Sequence, residues 1–198
     1  MNRLGLVVAA SCIFVGSAWA SPIIYTESGQ LSGTLGATTL TDATFTFTLY
    51  GETANIVPFV GLPGVLLNLA TSNSLLIDGS SGSFTEPMEI GVNQVLGVFA
   101  FLNEAITGGI SFNDSGAIGY DLATPISVTG SAPFLLSSPI GTTLGALTIT
   151  GAQNLSFTAS TGVSEPASTS DVPEPASMTL LGAGLLALSG LRPLRQTT

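Results

Sequence analysis

The sequence feature that most limits how this chain can fold is a strict alternation of apolar and polar side chains from residue 44 to residue 50. In an extended strand, Phe45, Phe47 and Leu49 share one face and the intervening threonines share the other. Threonine is β-branched and stiff, so it suits the pleated surface of a sheet. The segment therefore predicts an antiparallel strand with one face in a core and the other in solvent.

Short segments with strand character recur from residue 21 to residue 159, and turn signals separate them. The pair Asp78-Gly79 and residues 113 to 116 predict turns, whereas prolines and a glycine break residues 56 to 69 into a loop and an edge strand. Residues 95 to 102 are apolar on both faces and predict a central strand, with a buried helical turn as the alternative.

These patterns predict an all-β domain, an antiparallel β-sandwich or jelly-roll-like fold. Residues 143 to 150 and 155 to 159 contribute further alternating segments. The side chains predicted to form the core are Phe45, Phe47, Leu49, Val95, Phe99, Leu147, Ile149 and Phe157.

The distribution of charge excludes several classes of partner. All three basic residues lie near the ends of the chain, at Arg3, Arg192 and Arg195, and there is no histidine. Eleven of the twelve acidic residues lie between Glu27 and Asp171. Such a polyanion repels nucleic acid and anionic lipid, and it cannot form internal salt bridges between side chains. Its stability must come from packing and hydrogen bonds.

The same composition narrows the possible chemistry. Without histidine, lysine or cysteine, residues 21 to 171 cannot supply a Ser-His-Asp triad, a Schiff base or a thiolate metal site. Asp114-Ser115-Gly116 matches half of an aspartic-protease motif, but the second half is missing and a turn explains the segment better. We therefore expect no enzymatic activity and no cofactor. Calcium prefers oxygen ligands, for which Asp78, Asp114 and Asp121 are candidates.

Residues 1 to 20 have the organisation of a secretory signal peptide. Arg3 precedes an apolar stretch from residue 4 to residue 16, and Ala18-Trp19-Ala20 forms a small-x-small cleavage site. The alternatives are an uncleaved first membrane helix, and cleavage before Cys12 as a lipoprotein. Because Cys12 is the only cysteine, we expect the mature chain to contain none.

The C-terminal tail has three consecutive parts. The prolines of Pro173-Glu174-Pro175 favour an extended form, an uncharged apolar run occupies residues 176 to 191, and Arg192 and Arg195 follow. A helix over the apolar run would be about 24 Å long, slightly short of the ~30 Å hydrocarbon core. The arginines can extend its reach by snorkelling and favour the cytoplasmic side. The tail therefore predicts a single transmembrane helix over residues 176 to 191.

Residues 172 to 195 resemble the PEP-CTERM sorting signal of exported bacterial proteins, with Pro173-Glu174-Pro175 as the signature triplet. The resemblance implies recognition by a membrane-embedded exosortase, which cleaves near the triplet and releases or relinks the protein at the cell surface, often beside exopolysaccharide production. The basic end differs from the denser cluster that is frequent in the family, because it holds only Arg192 and Arg195. An ordinary single-span anchor is the alternative.

Together these features predict four segments: a signal peptide at residues 1 to 20, a β-sandwich ectodomain at 21 to 159, a Ser/Thr/Pro-rich linker at 160 to 171, and a sorting tail at 172 to 198 with its basic end at 192 to 195. We expect an exported structural protein that is transiently anchored in the inner membrane and then reaches the cell surface or the extracellular, biofilm-type matrix. The expected partners are exosortase, the inner membrane during sorting and exopolysaccharide. The alternative is a carbohydrate-binding or adhesive module on the same fold, with calcium.

Overall fold

A computed structural model of the chain describes residues 20–162, apart from the side chains of residues 131–133 and 137. This part contains two short 3-10 helices, Thr53–Asn55 and Ser115–Ala117, and otherwise strands and turns. The strands are β1 Pro22–Leu35, β2 Thr38–Glu52, β3 Ile56–Pro58, β4 Val65–Leu69, β5 Ser72–Ile77, β6 Ser80–Gly82, β7 Met88–Asn93, β8 Val98–Asn103, β9 Gly108–Asn113, β10 Ile126–Ser137 and β11 Leu147–Thr161. Every pairing between these strands is antiparallel, so the all-β prediction is confirmed.

The strands form two antiparallel sheets that share β10. Sheet 1 has the order β10-β11-β1-β2-β5-β6, and sheet 2 has the order β3-β4-β7-β8-β9-β10. The first half of β10 pairs with β11, and its second half pairs with β9. One hydrogen-bonded ribbon therefore runs from β3 to β6 and folds over at β10.

A glycine lies where β10 passes from one sheet to the other. Gly130 is the last residue paired with β11, and Ser131 is the first paired with β9. A Cβ atom on Gly130 would lie 1.8 Å from the ring of Phe112, far inside van der Waals contact. Only glycine lets this ring pack directly against the backbone of the crossing strand.

An aromatic cluster joins the inner faces of the two sheets. Phe99 of β8 stacks on Phe157 of β11, with ring centroids 4.5 Å apart, and Phe47 of β2 lies 5.9 Å from Phe101 of β8. All four side chains are buried. Offset aromatic pairs at these distances add to the free energy gained from burial alone, which fixes one sheet against the other.

Most of the predicted elements appear at the predicted positions. Asp78 and Gly79 both have positive φ and connect β5 to β6, as the type I′ hairpin turn requires. Seven of the eight predicted core side chains are buried.

The prediction for Val95 is wrong: β8 begins only at Val98, and Val95 lies in the preceding turn with 69% of its surface exposed. Asn93 causes the turn, because its side chain accepts hydrogen bonds from the N–H groups of Val95 and Leu96.

Three further predictions need adjustment at their boundaries. The strand segments are predicted to be short throughout, whereas Pro22–Leu35 at the start of the domain form the single long strand β1. Residues 143 to 146 form a connection, so that β11 begins at Leu147 and continues to Thr161, two residues into the predicted linker. Residues 56 to 69 are predicted as a loop followed by an edge strand, but the strand after the loop is β4, which lies inside the sheet, and the edge strand is β3, which precedes the loop.

The two predicted membrane-targeting segments fall outside the described residues. These are most of the signal peptide and the whole sorting tail with its helix at residues 176 to 191. Within residues 20–162, the structure contains no helix long and apolar enough to cross a membrane.

Candidate functional site

The residues predicted to function in sorting lie in parts of the chain that the structure does not describe. They are Ala18, Pro173, Glu174, Pro175, Arg192 and Arg195. Ala20, the residue before the predicted cleavage point, is described and is exposed. The candidate site inside the domain therefore has to be found among other residues.

The three candidate calcium ligands lie in three different turns. One side-chain oxygen of Asp78 accepts hydrogen bonds from the backbone and the hydroxyl of Thr44, and one of Asp114 accepts from the N–H of Gly116. Asp121 accepts three hydrogen bonds within its own turn, which outweigh its partial desolvation and lower its pKa. Among residues 20–162, no group of three or more acidic side chains is placed to hold a metal ion.

The outward-facing surface of sheet 2 is the most unusual feature of the domain. Cross-strand neighbours form one row across it, from Val57 through Leu67, Gly91, Ala100 and Ser111 to Phe134. Large side chains stand at both ends of this row and small ones in its middle. We call the outward-facing side of sheet 2, with the loops that border it, the apolar face.

A groove lies in the apolar face beside this row. Its volume is about 320 Å³. Its lining is apolar except for Asn93, and includes Phe59, Leu62, Val65, Leu67, Val98 and Leu102. The floor is low because Gly91 and Ala100 lie opposite each other in β7 and β8. A Cβ atom on Gly91 would come within 3.1 Å of the Leu67 side chain, so a larger residue there would fill part of the groove.

Two loops project apolar side chains at one end of the groove. The β3–β4 loop carries Val60, 93% exposed, and the β7–β8 turn carries Leu96, 71% exposed. The backbone N–H of Gln94 donates to the carbonyl of Gly64 at 2.7 Å, which ties the two loops together. Loop residues are usually polar, so these exposed side chains are unusual in a monomeric protein.

Exposed apolar side chains are concentrated on this side of the molecule. Of the ten large apolar side chains that are exposed in residues 20–162, nine belong to sheet 2 or its connections, and only Leu76 belongs to sheet 1. The nine are Val57, Val60, Leu62, Leu69, Val95, Leu96, Ile106, Ile118 and Phe134.

One carboxyl group borders the apolar face. Glu89 of β7 lies between Leu69 of β4 and Leu102 of β8, and only 5% of its surface is exposed. Burial, with a smaller contribution from the charge of Glu104, raises the pKa of Glu89 to about 7. The ionised form is therefore disfavoured here relative to an exposed carboxyl group, and Glu89 stays mostly neutral below pH 7.

The outward-facing surface of sheet 1 is chemically different. Rows of hydroxyl-bearing side chains run across it; one passes from Thr129 through Ser156 and Ser28 to Thr46. The hydroxyls of Ser28 and Ser156 are 2.8 Å apart and hydrogen-bonded. Sheet 1 thus presents polar, uncharged groups to solvent over most of its width.

A second carboxyl group lies inside the core. Glu27 of β1 is 1% exposed, and its strand neighbours are Phe47 and Phe157. Neither carboxyl oxygen has a hydrogen-bond partner among the described residues. Burial raises the pKa of Glu27 well above its ordinary value, which favours the neutral acid over the carboxylate.

Sequence reasoning did not identify the apolar face, although a signal for it was present. Residues 95 to 102 are apolar on both faces. That pattern was interpreted as a strand buried on both sides, whereas Val98 and Ala100 are only half-buried. Periodicity tells which side chains share a face, but not whether anything covers that face.

Comparison with protein families gives one match. Residues 171–195 match the family model of the PEP-CTERM protein-sorting motif. The match agrees with the resemblance in the tail and indicates export, exosortase processing and sorting toward the cell surface. No curated protein and no solved structure matches the chain.

Proposed function

Because this chain is a PEP-CTERM protein, exported and sorted through residues 171–195, we propose that its domain is a non-catalytic structural component of the cell surface or extracellular matrix. The sorting motif supplies the destination. The domain supplies the means of staying there, through contact surfaces rather than a reaction centre.

The observation that carries this proposal is the concentration of exposed apolar side chains on one sheet. Leaving such a surface in water is unfavourable, at roughly 25 cal/mol for each Å² of apolar area. A face of this kind usually marks a site of assembly with other molecules. A matrix protein needs such a surface, and the groove and loops of sheet 2 meet that need.

The three parts of the tail would have different roles in sorting. Glu174 is the only charged side chain in the triplet, and Pro173 and Pro175 would favour an extended form that an enzyme groove can bind. The apolar run holds the chain in the inner membrane until exosortase acts, and Arg192 and Arg195 keep its end on the cytoplasmic side.

Glu174→Ala tests the sorting step, and Glu165→Ala is its matched control because Glu165 also precedes a proline but lies in the linker, outside the triplet. We expect full-length Glu174→Ala to accumulate in the inner membrane, while Glu165→Ala is trimmed and delivered like the parent. Immunoblots of membrane, surface and medium fractions from a host with exosortase give the answer. Normal trimming of Glu174→Ala would show that the triplet is not recognised.

The matrix role has its own test. Since residues 20–162 hold no basic side chain for ion pairs, attachment should depend on apolar contact. We expect the parent protein to remain with the matrix fraction in 1 M salt and to be released by mild detergent. Recovery of the processed protein as a free monomer in the medium at low salt would contradict the structural role.

A carbohydrate-binding role is the second candidate, favoured by the hydroxyl rows of sheet 1. Tyr50 borders a shallow cavity of about 150 Å³ with Ile24, Glu52 and Thr71 on that sheet. Tyr25 and Tyr120 are buried and cannot serve as sugar platforms. Reproducible binding to a glycan array, lost in Tyr50→Ala and kept in Leu62→Ala, would favour this function over the purely structural one.

A further inference from the structure

We propose that the apolar face binds the same face of a second copy of this chain, so that sheet 2 of one molecule packs on sheet 2 of the other. The proposal rests on the proposed structural function and names the partner of its contact surface. Four properties of the described residues carry it: charge, edges, size and shape.

Charge selects this face for self-association. Residues 20–162 carry acidic side chains and no basic ones, so two copies repel each other over most of their surface. The outer faces of both sheets carry few carboxyl groups, but only that of sheet 2 is also apolar; its strands carry the buried Glu89, and the exposed Glu104 lies in the bordering β8–β9 loop. Two identical polyanions can approach closely only through surfaces that lack charge, and here such a surface is also apolar.

The edge strands of the two sheets are poorly suited to pairing with a second copy, which favours binding through the apolar face instead. The edge strands β3 and β6 are three residues long, and β3 ends in Pro58, which has no N–H to donate. Short edge strands and proline are the usual protections against edge-to-edge pairing. A second copy that adds to this domain therefore meets the face of sheet 2 more readily than its edges.

The size of the face matches what a stable dimer needs. Six strands about 4.8 Å apart, with up to six residues at about 3.3 Å each, give a face of roughly 24 by 20 Å. The apolar loops extend it beyond the end of the strands. Stable interfaces bury about 800 Å² per partner, so the strands, with a projected area of roughly 480 Å², supply more than half and the apolar loops must supply the rest.

The shape of the face is suited to a two-fold arrangement. It has both a projection, the loop that carries Val60, and a depression, the groove over Gly91 and Ala100. In a two-fold dimer each surface element meets its counterpart twice, so a loop of one copy can enter the groove of the other in both directions.

A lipid surface is a less suitable occupant of the apolar face. Basic side chains would attract the protein to such a surface, and residues 20–162 have none.

Cysteine cross-linking of the full chain in its own host tests the proposal. The background is Cys12→Ser, which removes the only natural cysteine. Val60→Cys and Phe134→Cys place a thiol on the apolar face, and Leu76→Cys places one on the outer face of sheet 1 as the matched control. Intact cells are treated with a short bismaleimide, and adducts are separated by mass.

We expect an adduct of twice the chain mass from at least one of the two apolar-face thiols, about tenfold more abundant than from Leu76→Cys. Leu62→Glu, which adds a charge to the groove, should reduce this adduct about tenfold, since an unpaired charge at an apolar interface is strongly unfavourable. Leu76→Glu should leave the adduct unchanged. Val60→Glu in the Phe134→Cys chain gives the same test at a site 93% exposed, where folding is not at risk.

The remaining outcomes overturn the proposal. Equal adducts from all three thiols would indicate random collision, and an adduct of another mass would indicate a different protein as the occupant. No adduct from either apolar-face thiol would mean that a small apolar ligand, a lipid or nothing occupies the groove. Fractionation of the same cells distinguishes self-association from the structural function. Delivery to the matrix without the dimer adduct would reject only self-association. The dimer adduct without delivery to the matrix would reject only the structural function.

Discussion

Sheets 1 and 2 are alike on the side that faces the core and differ on the side that faces solvent. Both contribute phenylalanines to one aromatic cluster. Outside, sheet 1 carries rows of serine and threonine, whereas sheet 2 carries leucine, valine and a phenylalanine around a groove. The difference teaches that the core explains only one face of each sheet. The second face of sheet 2 requires a different explanation, and we propose that it is contact with another molecule.

The largest expected effect tests the part that the sheets share. Phe99→Ala in sheet 2 and Phe157→Ala in sheet 1 should each lower the free energy of unfolding by about 3–5 kcal/mol, because each leaves a cavity in the same cluster. Urea denaturation measures both. A loss for Phe157→Ala alone would mean that the core belongs to sheet 1 and that sheet 2 is only loosely attached.

The next effect tests the difference between the outer faces. Leu102→Ala on the outer side of sheet 2 should lower the free energy of unfolding by about 2–3 kcal/mol, because only 7% of Leu102 is exposed. Thr48→Ala on the outer side of sheet 1 should change it by about 0.5 kcal/mol or less, since that face is solvated. Equal losses in thermal unfolding would remove the contrast between the sheets.

A substitution of Glu27 in the shared core should increase the free energy of unfolding, whereas the substitutions above should decrease it. Glu27→Met replaces a buried acid without a hydrogen-bond partner by an apolar side chain of similar length, and should raise the free energy of unfolding by about 2 kcal/mol near neutral pH. Because the pKa of Glu27 is raised, the contribution of this group to stability is full in acid and is lost as pH rises above its ordinary pKa. Glu27→Met should lack that loss, and a gain that is the same at pH 5 and pH 9 would contradict it.

The smallest effect concerns Glu89 on the apolar face. Its pKa of about 7 lies above the ordinary value, so its contribution to stability is full in acid and declines as pH rises from about 4.5 through 7. Glu89→Gln should match the parent at pH 4 and be more stable at pH 9. The rise of the pKa from about 4.5 to about 7 sets an upper limit of about 3 kcal/mol, which solvent screening reduces to roughly 1 kcal/mol. Glu104→Gln serves as the control because it changes only the smaller influence on that pKa. Parallel pH profiles for parent and Glu89→Gln would mean that Glu89 is well solvated.

The strands of sheet 1 could be predicted from sequence because alternation is strongest where one face is dry and the other wet. Phe45, Phe47 and Leu49 lie in the core as that rule requires. In sheet 2, alternation is weak because both faces are apolar, and the limits of β8 were misplaced. The turn made by the Asn93 side chain decided where that strand begins.

The candidate site was predictable only in its tail. Pro173-Glu174-Pro175 is a local signal with a fixed order of parts, and local signals can be identified from sequence. The apolar face depends on which distant strands become neighbours: Leu67, Gly91 and Ala100 come together only through pairing across three strands. Glu27 was equally hidden, because its place on the core side of β1 follows from that strand's register with β2 and β11.

The pairing of Ile23 with Thr161 has a mechanical consequence. The first and last strands are antiparallel neighbours, so both ends of the described domain emerge at the same end of one ladder. Tension between residues 22 and 161 would load the hydrogen bonds of that ladder one after another, as in opening a zipper. A pull across the broad sides of the sandwich would instead be spread over many strands at once. The domain should therefore resist force transmitted through its faces better than force applied between its two ends.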